Sequence, residues 1–213
     1  MSESMTARDF HAHSGVGAWR VLFTGAHAHW RTDSLTQGGA FVAAIADAVA
    51  DLDRAPDIDL RPRSVVVRTS APEFALDEVD VEIAQRVSAA AAALGLTSDP
   101  SALKVININV ARTPGTDVRP FWSAALGYDD LWDSDAVDPN GRGPQLAFND
   151  IDRPGRGRTH IDVSVPAEVG AAIVERAVAA GGRLVDERPG LWWTLASPEN
   201  HGVDIAIWPD LTS

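Results

Sequence analysis

Asp204 lies between Val203 and Ile205 in an alternating run, so a strand there turns its carboxylate to the face opposite theirs. If that face lines a cavity, the acid requires a partner, because burying an unpaired carboxylate is costly. Trp192 and Trp193 are neighbours in another strand-like run, so one indole faces each side of a sheet. One could line a cavity for a flat heterocycle while the other packs against helices. In the first half of the chain, "ADLDRAPDIDLRPRSVVVRTSAP", Ala50 to Pro72, has the outline of a small-molecule site at a helix-to-strand turn. It contains no histidine, cysteine or tyrosine. Arg54 in that stretch could meet an anionic group, and Asp80 stands where the next helix opens and suits the positive end of its dipole.

The elements that must position these residues follow from local pattern. Ser34 and Gln37 have capping-box spacing ahead of "GGAFVAAIADAVADL", whose apolar residues recur at helical spacing, which predicts a helix from about Ser34 to Asp53. Pro56 stops it, Pro62 bars a central strand, and the β-branched run in "SVVVRTS" predicts one afterwards. "LDEVDVEIAQRVSAAAAALGL" reads as a second helix ending at Gly95, and "WRVLFTGAHAHWRT" as a hairpin. "TSDPSA", Thr97 to Ala102, has linker chemistry. Beyond it the order strand, helix, strand, strand, strand appears twice, offset by roughly 55 residues, and predicts an internal duplication. "NGRGP" (140–144) and "RPGRGR" (153–158) have glycine spacing but no strand-to-helix context for holding phosphate. For His11, His13, His27, His29 and His201 the sequence alone points to no particular role, and they read as surface or fold residues.

Composition narrows the field. With 213 residues, 45% of them hydrophobic and 23% charged, the chain is long enough for one large or two smaller globular domains. Thirty acidic against eighteen basic residues give a net charge of −12, which repels nucleic acid and anionic membrane surfaces. The chain has no cysteine, which removes disulfides, thiolate metal sites and cysteine nucleophiles. No apolar run is long enough to span a bilayer, the amino terminus does not read as a signal peptide, and a cytoplasmic protein is expected.

Two resemblances attach to these segments. From about Trp19 to Leu96, the order and spacing of Trp19, "ADLDRAP", "SVVVRTS" and "ALDEVDVEIA" resemble the pterin-4a-carbinolamine dehydratase family. The second half, through "PFWSAALGY", "THIDVSVP" and "LWWTLASPENHGVDIAIW", is similar to the glyoxalase-like branch of the vicinal-oxygen-chelate superfamily. Together they imply an α+β chain. A pterin dehydratase-like sheet with helices would occupy residues 1–98, and a glyoxalase-like domain of two βαβββ repeats would occupy residues 103–213.

The dehydratase motif has an acid before a His-His-Pro triplet, then an aromatic residue, a further histidine and a helix-opening aspartate. On this chain those positions fall at Ala50, Arg54, Ala55, Pro56, Pro62, Ala71 and Asp80, so only Pro56 and Asp80 keep the pattern. Dehydration of a carbinolamine needs proton donors and acceptors titrating near neutrality, which arginine and alanine are not, so no ordinary dehydratase activity is expected. Metal-dependent glyoxalase-like proteins hold a divalent ion between the repeats. Here the resemblance places the ligand positions at Val105, at Gln145 or Ala147, at His160 and at Asp204. Half of that set lacks a suitable donor, so no metal site and no cofactor are expected, a divalent ion being the one candidate cofactor.

On this reading His160 is the natural partner of Asp204, and the pair is expected to act as a weak general base, with Asp80 the remaining catalytic candidate of the first half. Arg54, Trp192 and Asn107 are the expected substrate contacts. The expected function is small-molecule binding or a metal-independent enzyme of glyoxalase-like type carrying a degenerate dehydratase-like module; as an enzyme it would be a lyase. The alternatives are a 4a-hydroxytetrahydrobiopterin dehydratase-type lyase and a non-catalytic dimeric scaffold. The expected partners are a small molecule and a second copy of the chain, through apolar helices such as "VSAAAAALGL".

Overall fold

A computed structural model describes residues 5–115, 117–151, 159–196 and 202–208. The described residues fall into two compact units, one running to Leu103 and including Trp208, the other running from Lys104 to Ile207.

In the first unit, Ala7–Ala12 (α1) precedes the hairpin Trp19–Leu22 (β1) and Gly25–Arg31 (β2). Leu35–Ala48 (α2), the hairpin Asp57–Arg61 (β3) and Ser64–Thr69 (β4), and Glu78–Ala93 (α3) follow. The sheet order is β1-β2-β4-β3, antiparallel throughout. Alternation sorts its faces: Ala26, Ala28 and Trp30 of β2 and Val65 and Val67 of β4 are buried with Phe41, Ile45, Ile83, Ala84 and Val87 of α2 and α3.

Three expectations change here. The first long helix ends at Ala48, not near Asp53, with Val49 as its cap and a turn through Leu52, so the chain leaves the helix well before Pro56. Pro62 does not exclude a strand: it occupies the two-residue turn between Arg61 and Ser64, where a missing N–H costs no ladder bond, and β3 is an edge strand. The stretch read as a linker is ordered against the first sheet. Thr97–Ser98 (β5) pairs with Arg31 and Trp30, and Pro100–Ala102 forms a 3-10 turn. The short helix α1, opened by a reciprocal capping pair of Thr6 and Asp9, was not foreseen.

The second unit runs through Val105–Arg112 (β6), Arg119–Leu126 (α4), Asp129–Leu131 (β7), Asp135–Val137 (β8) and Gln145–Asp150 (β9). It then repeats that order with Thr159–Val165 (β10), Ala167–Ala179 (α5), Arg183–Arg188 (β11), Trp192–Ala196 (β12) and Gly202–Ile207 (β13). Among the described residues these form an eight-stranded sheet, β11-β12-β13-β10-β6-β9-β8-β7. In each repeat the first strand pairs parallel with the last, and the two first strands, β6 and β10, join antiparallel at the centre. The two expected βαβββ repeats are therefore present.

One face of this sheet is apolar and carries the helices. Val163, Val165, Ile205, Ile207, Trp193 and Leu195 pack with the α5 residues Val169, Ile173 and Val174. A Cβ on Gly170 would come within 2.7 Å of Ile207 and 2.9 Å of Trp193, so only glycine lets α5 lie this close to the strands. In the other repeat, Val110, Leu146 and Phe148 pack with Trp122 of α4, and Gly127 ends that helix at φ 69°, a left-handed cap.

Candidate functional site

The opposite face of the second sheet is polar. Asn107 on β6 pairs with Gln145 on β9 and with Asp162 on β10; Asp162 pairs with Asp204 on β13, and Asp204 with Thr194 on β12. Directly opposed residues share a face, so local alternation of polar and apolar residues on each strand builds one continuous polar row across five strands. Asp186 on the edge strand β11 extends it, opposite Thr194. His160 and Asn109, opposed to each other, lie one step along the same face.

His160 is the centre of the ionisable cluster. Its Nε2 is 3.2 Å from Asp162 Oδ1 and 3.8 Å from Asp204 Oδ2, with the imidazole partly exposed. Contact with Asp162, reinforced by the charges of Asp162 and Asp204, pushes His160 above the ordinary histidine value, against its partial burial. Burial pushes the Asp204 carboxyl up, Asp162 and Asp186 add to that push, and Thr194 and His160 oppose it. Asn109 Nδ2 donates to Asp162 Oδ2 at 2.5 Å, and Asn149 Nδ2 donates to Asn109 Oδ1 at 2.5 Å, so a relay of amides from the first repeat fixes the Asp162 carboxylate.

The residues singled out in this half therefore gather on one face. His160, Asp204 and Asn107 are near neighbours, and Trp192 lies on the same face because it opposes Ala206, two residues beyond Asp204. Trp193 packs into the helix-bearing side, and the Arg188 guanidinium lies 5.1 Å from the Trp192 ring. His160 lies 3.8 Å from Asp204, its expected partner, but the nearer carboxylate is Asp162 at 3.2 Å, and Asp204 also takes a hydrogen bond from Thr194. Asp162, Asn109, Asn149 and Thr194 escaped sequence reasoning. The signal was present for the first two, since "THIDVSV" and "VININV" put His160 with Asp162 and Asn107 with Asn109 on single strand faces.

A metal ion shared between the repeats does not fit these residues. Val105 and Ala147 offer no lone pair, which leaves the expected positions of the first repeat a single neutral amide oxygen, that of Gln145. The groups whose ligand atoms lie within 4.8 Å of one another, His160, Asp162 and Asp204, all belong to the second repeat.

The first unit brings Arg54 and Asp80 together. Asp77 caps α3 and Asp80 closes the capping box by accepting from the Asp77 N–H at 3.0 Å. The fully buried Asp80 carboxylate also accepts from Thr69 Oγ1 at 2.5 Å and lies 3.0 Å from Arg54, which donates to Asp77 at 2.6 Å. Burial pushes the Asp80 carboxyl above the usual carboxylate range, while those donors pull it down. Arg54 is thus held by two carboxylates of its own chain. His27 is buried and bonded to Thr24 at 3.0 Å, and burial pushes its pKa down to about 3, so it stays neutral. In the loop 140–144, backbone N–H groups of Asn140, Arg142 and Gly143 donate to Asp138. The loop 153–158 and His201 lie outside the described residues.

Residues 107–206 match the family described as a glyoxalase-like domain. No curated protein matches the chain. The matched stretch contains the whole polar row and its histidine.

Proposed function

We propose that the second unit binds a small organic molecule on its polar sheet face and transfers a proton to or from it without a metal, His160 being the acid–base group. The observation that carries this is the half-buried His160 imidazole set 3.2 Å and 3.8 Å from two carboxylates within a stretch that matches a glyoxalase-like domain. A carboxylate close to one ring nitrogen favours the proton there and raises the basicity of the other, an arrangement suited to proton abstraction beside a carbonyl. Asp162 orients the ring, Asn109 and Asn149 orient Asp162, and Asp204 supplies a second charge. Trp192 and Asn107 border the same face as substrate contacts. An enzyme working this way on a carbon acid would be a lyase or an isomerase.

The test is deuterium incorporation from D2O into a panel of enolisable ketones and α-hydroxyketones, with the full chain and with chelator present. Exchange that survives chelation and falls at least about 100-fold in His160→Gln supports the reading. Exchange abolished by chelator, or unchanged in His160→Gln, overturns it.

For the first unit we read a catalytically degenerate dehydratase-like module. The order α1-β1-β2-α2-β3-β4-α3 supports the resemblance, and the pairing of Arg54 with Asp77 and Asp80 supports the loss of chemistry. Such a module serves best as a structural or dimer-forming partner in a cytoplasmic protein. Turnover of a pterin carbinolamine by the full chain, lost in Asp80→Asn, would instead establish the dehydratase-type lyase.

A further inference from the structure

The polar row has an excess of acceptors, and the excess is buried. Asn107 is only 8% exposed, and its Oδ1 has no hydrogen-bond partner among the described residues. Ser164, fully buried on the same face of β10, is likewise without a partner at Oγ, and Asp162 Oδ1 receives the approach of His160 but no well-directed hydrogen bond. Asn107 and Asp162 are cross-strand partners, so the two side chains leave neighbouring strands on the same face. Asp204 and then Asp186 continue the row. Buried acceptors of this kind are rare in finished cores, because each forfeits the hydrogen bond it had in water. Water could satisfy single oxygens, but it brings no charge to a row holding three carboxylates.

We propose that the ligand of this face is a cation that donates N–H hydrogen bonds, an ammonium, amidinium or guanidinium group attached to a small organic molecule, received by Asn107 Oδ1, Asp162 and Asp204. The proposal deepens the function given above and rests on that reading of the face as the ligand site. It assigns the row its role: the amide oxygen and carboxylates hold the nitrogen, while His160, one step along β10, reaches an atom beside it. The raised carboxyl of Asp204 agrees with this, since a cation placed there relieves the repulsion among Asp162, Asp186 and Asp204.

The experiment is calorimetric titration of the full chain with benzamidinium, benzylammonium and benzoate, which share a ring and differ in charge and donors. Saturable binding of one or both cations, with benzoate at least tenfold weaker, is expected. Asp162→Asn and Asp204→Asn should each weaken cation binding about tenfold or more while circular dichroism stays that of the parent; either variant folded and so weakened suffices. Benzoate binding as well as the cations, or cation affinity unchanged in both folded variants, overturns the proposal. So does stoichiometric uptake of Zn2+ or Mg2+ that blocks benzamidinium, because the acceptors then serve an inorganic ion. The two readings fail separately. Benzamidinium binding without any deuterium exchange sinks the proton-transfer function alone, and exchange of neutral ketones without cation binding sinks the ligand class alone.

Discussion

Each unit holds an aspartate with a basic side chain beside it, and the two clusters differ in which groups are left unsatisfied. In the first, Asp80 has Thr69, the Asp77 N–H and Arg54, and Arg54 in turn has Asp77. In the second, three carboxylates and an unmet amide oxygen share one histidine, two asparagines and a threonine. The first has the accounting of a structural lock on the acceptor side: each carboxylate has its donors, and the one group left over is a donor, the Arg54 Nε. The second leaves acceptors open on a sheet face, as a site does that waits for a ligand.

That contrast can be broken most forcefully at Asp80. Asp80→Ala takes the acceptor from Thr69 Oγ1 and the Asp77 N–H and one of two carboxylates from Arg54, so urea unfolding should show a loss of about 2–4 kcal/mol. A loss below about 1 kcal/mol would mean that the cluster is no lock. His27 is the next largest. Its folded pKa of about 3 lies below the unfolded value near 6.5, so the unfolded chain takes up a proton first as pH falls. Stability is therefore lost between pH 6.5 and 3, at up to about 1.4 kcal/mol per pH unit, and His27→Gln should flatten that slope in urea unfolding at stepped pH.

On the other side of the comparison, Asp162→Asn and His160→Gln should change unfolding free energy by no more than about 1 kcal/mol, because the pair is partly exposed and the cluster is already short of donors. Loss of several kcal/mol would make the second cluster structural too. The smallest effect is spectroscopic. The His160 imidazole should titrate above 6.5 by NMR and move back toward that value in Asp162→Asn. With the folded value raised, any stability it contributes is complete below the unfolded pKa and is lost as pH rises through the folded one.

The strands and helices of the second unit were legible because each carries its own period: alternation in "THIDVSV", helical spacing in "PAEVGAAIVERAVAAGG". Duplication of the order made the two repeats legible as well. Pro62 misled because it was weighed against a central strand, whereas a hairpin turn at a sheet edge accepts it freely. Thr97–Ser98 misled because small polar residues suit linkers and edge strands alike. His160 and Asp204 could be singled out one strand at a time. Asp162 was passed over because its importance depends on β13 beside it and on Asn109 across from it.

The chain's own alternation settled which side chains on each strand share a face, since backbone pleating fixes that residue by residue. It also settled that histidines do not stand at the paired positions of the first unit. Which strands lie side by side, and in what register, was decided only in three dimensions, through pairings of residues some forty to sixty positions apart. Register turns scattered polar residues into a row, and it alone determines that a carboxylate on β10 meets an amide on β6 left without a donor.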